Sequence, residues 1–167
     1  MTNSDAPELD GVHHVKLPVS NLNRSRAWYE TRLGYQPGTE FIENGTVMGV
    51  VMMHPNGGPD LGLRLDPERA ARAAGFDYFS IGVPTKAALE ALAGRLTALG
   101  EAHAGVHFAT IGWILPGAHD PDGHEVRFYT TQSHTDRTDP EIAAVDDAIA
   151  TAARREQDYL SGRTSAQ

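Results

Sequence analysis

The chain has 167 residues, a formal net charge of -8 and no cysteine. The acidic balance excludes nonspecific nucleic-acid binding, which needs a basic field. The absence of thiols excludes disulfides, zinc–thiolate sites and cysteine nucleophiles.

A chain of this size fits one domain, or two small modules sharing a core, burying about 70% of its unfolded surface. The first ten residues are polar and acidic, and no apolar run approaches about eighteen residues, so neither a signal peptide nor a membrane span is expected. A cytoplasmic protein is the expectation.

Along the chain, residues 12–19 alternate, predicting a strand with Val15, Leu17 and Val19 on its covered face and His14, Lys16 and Pro18 on the other. Asn21 is placed to cap a helix over 22–33, anchored by Trp28, Tyr29 and Leu33 and stopped by Gly34. Glu43-Asn44-Gly45-Thr46 predicts a type I′ hairpin turn, since Asn-Gly accepts positive φ. Strands over 47–53 and 61–65 flank the loop His54-Pro55-Asn56-Gly57-Gly58-Pro59. Asp66 caps, and Pro67 opens, a short helix ending at Gly75.

The same order then repeats. A strand over 77–83 leads to Thr85, the cap of a helix over 86–99 that buries Leu89, Leu92, Leu96 and Leu99. Strands near 102–109 and 111–117 follow, and the turn Asp120-Pro121-Asp122-Gly123 opens a last strand over 125–130. Residues 132–138 read as a linker. Asp139-Pro140-Glu141 opens a helix over 139–160 with Ile142, Val145, Ile149 and Ala152 at helical spacing, and the tails 1–10 and 161–167 are expected to be disordered. Each half is therefore βαβββ: 11–66, then 76–131, joined by the helix 67–75. The expected fold is α+β, two modules forming an open eight-stranded barrel-like cleft plus a C-terminal helix.

His14-Val15-Lys16-Leu17-Pro18-Val19-Ser20-Asn21-Leu22, Trp28-Tyr29, Leu33-Gly34 and Asp120-Pro121-Asp122-Gly123 are individually weak strings whose order, within an internal repeat, is specific. Over residues 11–131 the chain resembles the vicinal oxygen chelate superfamily of glyoxalase I, extradiol dioxygenases, fosfomycin-resistance enzymes and bleomycin-resistance proteins. That resemblance implies a divalent ion held by histidines of the first strands and glutamates of the last. His14 falls on a histidine position, but its counterpart is Tyr78, and the two glutamate positions fall on Arg64 and Arg127. A guanidinium offers no lone pair, and two of them repel a cation. The ligand set is thus degenerate, and neither a metal nor another cofactor is expected. Glu125 and His14 remain as candidates for a rearranged site, while His107, His119 and His124 read as loop histidines.

Strand parity places His14, Lys16, Arg64, Tyr78, Ser80, Glu125, Arg127 and Tyr129 on the cleft face. Three fixed positive charges facing one carboxylate fit an anionic ligand; alternatively Arg64 or Arg127 pairs with Glu125, Glu40 or Glu43. Trp113, Phe108, Tyr78 and Tyr129 offer aromatic walls, or ordinary packing. His14 is the best general acid–base candidate, and Tyr78 a donor to a developing oxyanion. There is no phosphate-binding glycine loop and no serine elbow.

The reading is a metal-independent small-molecule binding protein whose anionic or aromatic ligand is held by His14, Lys16, Arg64, Tyr78, Trp113, Glu125, Arg127 and Tyr129. The alternative is an enzyme of the same superfamily, a lyase, isomerase or dioxygenase-like protein, using His14 (with Tyr78) or a rearranged metal site. A homodimer is expected, with no nucleic-acid or membrane partner.

Overall fold

The computed structural model describes residues 9–133. The expected helix over 139–160 and the C-terminal tail lie outside the described residues. The chain divides into two compact units, one running through Phe79 and taking in His119–Glu125, the other made of Ser80–Ala118 and the chain from Val126.

The first unit contains β1 (His14–Val19), α1 (Leu22–Trp28), β2 (Gln36–Glu43), β3 (Thr46–Met53), β4 (Asp60–Leu65) and α2 (Pro67–Ala73). Its sheet has the order β1-β4-β3-β2, with β1 parallel to β4 and β3 antiparallel to both its neighbours. Period-2 alternation sends Leu17, Val19, Val50, Met52, Leu61 and Leu63 to one face, where they pack in a core with Trp28, Tyr29 and Tyr35. Each such burial is worth about 1.5–3 kcal/mol. The other face, bearing His14, Lys16, Gly49, Gly62 and Arg64, is the one that matters for function.

Local signals act as read. Asn21 accepts from Arg24 N–H at 3.0 Å and Asp66 from Arg69 N–H at 3.0 Å, so both caps form. Asn44 and Gly45 take φ of 49° and 77°, giving the tight turn between β2 and β3. The expected single helix over 22–33 instead changes after Trp28 into a π-helical turn, Tyr29–Leu33, before Gly34 ends it in the left-handed region.

The second unit repeats the design with β5 (Ser80–Val83), α3 (Lys86–Ala98), β6 (His107–Phe108), β7 (Trp113–His119) and β8 (Glu125–Thr130), in the order β5-β8-β7-β6. Thr85 caps α3 through Ala88 N–H. Val83, Leu89, Leu96, Leu115, Val126 and Phe128 form its core. The architecture is thus α+β with two four-stranded mixed sheets.

Two expected strands are shorter than the pattern predicts. The strand over 102–109 shrinks to His107–Phe108 because His103 pulls its segment onto α3: Nε2 lies 2.8 Å from Thr97 Oγ1 and 3.1 Å from the Ala93 carbonyl, while Nδ1 accepts from Gly105 N–H. The strand over 77–83 begins only at Ser80. Ahead of it, Gly75 N–H donates to the Gly123 carbonyl and Glu125 N–H to the Phe76 carbonyl, so 75–79 follow the 119–125 loop rather than the sheet. Tyr78 is accordingly not a strand residue.

That loop belongs to the first unit by its chemistry. Asp122 accepts from Ser20 N–H at 3.1 Å, Ser25 Oγ at 3.2 Å and the Arg24 guanidinium at 3.0 Å. Asp120 accepts from the Tyr29 hydroxyl and from the backbone N–H groups of Asp122 and His124. His124, read as a loop histidine, is fully buried with Nε2 2.7 Å from the Pro18 carbonyl. Asp120-Pro121-Asp122-Gly123 is therefore a staple that fixes β1 and α1.

Candidate functional site

On the exposed face of the first sheet lies a cavity of about 400 Å³. β1 contributes His13-His14 at its start and Lys16; β4 contributes Asp60, Gly62 and Arg64; β3 contributes Gly49 and Val51; β2 contributes Phe41 and Glu43. Its depth has a simple origin. Gly62 and Gly49 stand where other strand residues would raise a side chain, and a Cβ at Gly62 would meet His14 Cδ2 at 3.6 Å. A Cβ at Gly49 would come within 3.0 Å of the Leu63 carbonyl oxygen and 3.4 Å of the Phe41 ring. Glycine inside a strand marks such a close approach. The sequence carried this signal in Gly49 and Gly62, and the reading above did not use it; Phe41 was missed with them.

The charge inside the cavity is lower than strand parity implied. Arg64 gives both arms of its guanidinium to Glu43, at 2.6 and 2.9 Å. The Arg64 hydrogen bond holds the Glu43 carboxyl below its usual range, and the Glu43 hydrogen bond raises Arg64 in turn. Of the alternatives weighed for Arg64, pairing with Glu43 is the one realised. Asp60 is also in the lining and accepts from His54 N–H at 2.9 Å. Lys16 makes no ion pair with any described residue, so its ammonium is the available positive charge.

His13 and His14 meet through their Nδ1 atoms at 2.9 Å, with the rings edge-on at 5.2 Å. One imidazole must donate and the other accept. If His14 is the donor, its Nε2 keeps a lone pair and is a base.

Lys16 also borders a second cleft of about 350 Å³ on the side of α2, lined by Leu17, Pro18, Arg69, Arg72, Ala73 and Tyr78. Tyr78, expected on the second sheet, is found here, its ring edge-on to Phe76 at 4.9 Å and to His124 at 6.0 Å. The structure therefore brings His14, Lys16 and Arg64 to one cavity and Lys16 and Tyr78 to the cleft beside it.

The remaining expected site residues lie on β7 and β8. Arg127 and Tyr129 lie on β8, opposite Ser80 and Gly82 of β5, and Glu125 opens that strand. Trp113 on β7 packs edge-on against Phe108 at 5.8 Å, and Lys86 Nζ sits 5.4 Å from its ring centroid. That cation–π contact engages the indole within the second unit.

Among the described residues no group of three or more His, Asp or Glu side chains is placed to hold a metal ion. The donors do not fit the divalent site the resemblance implies: Arg64 has no lone pair to offer, and Glu43 already spends both oxygens on it. No described helix is long and apolar enough to cross a membrane.

Residues 11–128 match the model of the Glyoxalase/Bleomycin resistance protein/Dioxygenase superfamily. Among solved structures, the chain is similar to a glyoxylase/bleomycin resistance protein/dioxygenase domain from Frankia sp. EAN1pec, at 25% identity and a TM-score of 0.61, covering 75% of this chain and 100% of that one. Lactoylglutathione lyase from Agrobacterium tumefaciens aligns at 18% identity and a TM-score of 0.61 over 75% of this chain and 96% of that one. An antibiotic binding protein from Streptomyces sp. CB03234 aligns at 14% identity and a TM-score of 0.61 over 76% and 100%. The last two likenesses concern the fold alone. No match is found among curated proteins.

Proposed function

The chain belongs to the glyoxalase/bleomycin resistance protein/dioxygenase superfamily, and from that premise we propose that it binds a small organic molecule without the divalent metal used by enzymes of this group. The observation that carries the reading is the cavity of about 400 Å³ on the first sheet, walled by Phe41 and Val51 and floored by two glycines. That volume is within the range of ligand pockets, and apolar walls with few polar groups are their usual lining. Lys16 and His14 supply the polar anchors. Sequestration needs no reacting group, which suits a cavity whose arginine is engaged by a carboxylate.

The reading is tested by a melting-temperature screen of untagged protein with aromatic acids, neutral aromatics and antibiotics, run beside Ni²⁺, Mn²⁺, Fe²⁺ and Zn²⁺. A rise with aromatic compounds, lost in Gly62→Leu, is expected. A rise with a metal ion, or ligand binding untouched by Gly62→Leu, overturns it.

A second reading, an enzyme in which His14 moves a proton, is favoured by the His13–His14 contact at 2.9 Å. Turnover that disappears in both His14→Ala and His14→Gln supports it. Retained turnover removes it. The expectation of a cytoplasmic homodimer goes with the first reading; the exposed Ile42 on the edge strand β2 supports pairing, which sedimentation measures directly.

A further inference from the structure

We propose that one ligand molecule occupies both openings that Lys16 borders, its flat apolar body in the sheet cavity and an oxyanion at one end in the cleft beside α2. This rests on the binding reading above and names its ligand class: an apolar, ring-containing molecule with a terminal carboxylate or phosphate.

Two facts point that way. The sheet cavity offers an anion little beyond Lys16, because Arg64 is held by Glu43 and Asp60 adds a carboxylate to the wall. The cleft is the reverse. Lys16, Arg69 and Arg72 all line it, and no Asp or Glu does. In a chain of net charge -8, three cations around one small cleft make a local positive field against the global sign.

The arginines have partners, but weak ones. Arg69 meets Asp66 at 2.7 Å and Arg72 meets Glu68 at 3.0 Å, both along the same helix, with the guanidinium side chains 75% and 69% exposed. Exposed pairs of this kind contribute little, so the guanidinium groups are available to a ligand oxyanion that binds them in a forked geometry. Tyr78 adds a phenol whose hydroxyl bonds to no described residue. Lys16 is the residue common to the linings of both openings, and the proposed ligand spans the two across it.

The test uses four probes in calorimetric titrations: 2-naphthol, 2-naphthoate, 2-naphthyl phosphate and inorganic phosphate. With the wild type, at least one naphthyl anion is expected to bind about tenfold tighter than 2-naphthol, the ratio one charge-assisted hydrogen bond supplies. Which anion gains more distinguishes carboxylate from phosphate. In Arg69→Gln/Arg72→Gln, whose fold is checked by circular dichroism, the anion-to-naphthol ratio should fall to near one. Equal affinity of 2-naphthol and both naphthyl anions, an unchanged ratio in the double variant, or inorganic phosphate binding as tightly as naphthyl phosphate each overturns the two-part ligand while leaving the apolar cavity intact. No binding by any naphthyl probe removes the cavity reading itself, and this inference with it.

Discussion

Glu43 reaches across β3 to take both arms of the Arg64 guanidinium, and Gly49 is the reason it can. Gly49 is registered with Phe41 on one side and Arg64 on the other. No side chain stands on β3 at that point, so a carboxylate on β2 meets a guanidinium two strands away at 2.6 and 2.9 Å.

Removing that carboxylate should change ligand preference. In the Arg69→Gln/Arg72→Gln background, Glu43→Gln leaves the Arg64 guanidinium without its charged partner and as the remaining forked donor for the anion, and 2-naphthoate should bind about three- to tenfold tighter than without that change. Unchanged affinity in calorimetry would mean that Arg64 does not reach the ligand. The folded pKa of Glu43 is depressed by its hydrogen bond to Arg64, so its hold on Arg64 is present at neutral pH and lost as pH falls through that value.

The two floor glycines should differ. Gly62→Ala places a Cβ 3.6 Å from the nearest atom, ordinary contact, and should leave urea stability within about 0.5 kcal/mol of wild type. Gly49→Ala drives a Cβ to 3.0 Å from a backbone oxygen that cannot swing away, and should cost about 1–3 kcal/mol. Equal midpoints for the two variants would contradict this account of the cavity floor.

The two aspartates of the staple should pull stability in opposite directions with pH. Burial raises Asp122, but the hydrogen bonds from Ser20 and Ser25 and the Arg24 charge outweigh it and leave its pKa below 3.8. Its contribution is therefore complete above 3.8 and lost as pH falls through the folded value. Asp122→Asn should cost about 1–3 kcal/mol at neutral pH and less in acid. Asp120 is raised, burial outweighing the His124 and Tyr29 contributions, so the folded state binds its proton more readily and stability drops as pH rises from 3.8 through the folded value. Denaturant midpoints of Asp120→Asn against pH should lack that drop.

At the alkaline end the buried tyrosines dominate. Tyr35 is pushed up to about 12 by burial and by the Asp60 carboxylate, and Tyr29 is also raised, by burial and by Asp120. Folding keeps protons that the unfolded chain releases near pH 10.0, so stability should decline as pH rises above that point. Tyr35→Phe should flatten the decline in alkaline melts, and the part of the phenolate absorbance that this variant loses should appear in the wild type in step with unfolding.

Much of the fold was legible because its signals are local. Caps at Asn21, Asp66 and Thr85, the Asn44-Gly45 turn and the alternation of Leu17 and Val19 depend on neighbours within a few residues, and each formed as the sequence indicated. The internal repeat carried the order of strands in both sheets. What local pattern could not carry was competition for partners. His103 bonds α3 instead of extending a strand, and Gly75 and Phe76 bond the 119–125 loop, so that β5 begins only at Ser80 and leaves Tyr78 out.

The sequence by itself determined the family, the βαβββ repeat and the identity of the charged side chains, since each follows from residue type and near-neighbour spacing. Only the tertiary structure decided which charges are spent. Arg64 and Glu43 are 21 positions apart, and Asp122 and Arg24 are 98 apart, so nothing in either local pattern marks them as partners. A cavity likewise exists only where separate strands lay their glycines side by side, and that juxtaposition is a property of register, not of any one segment.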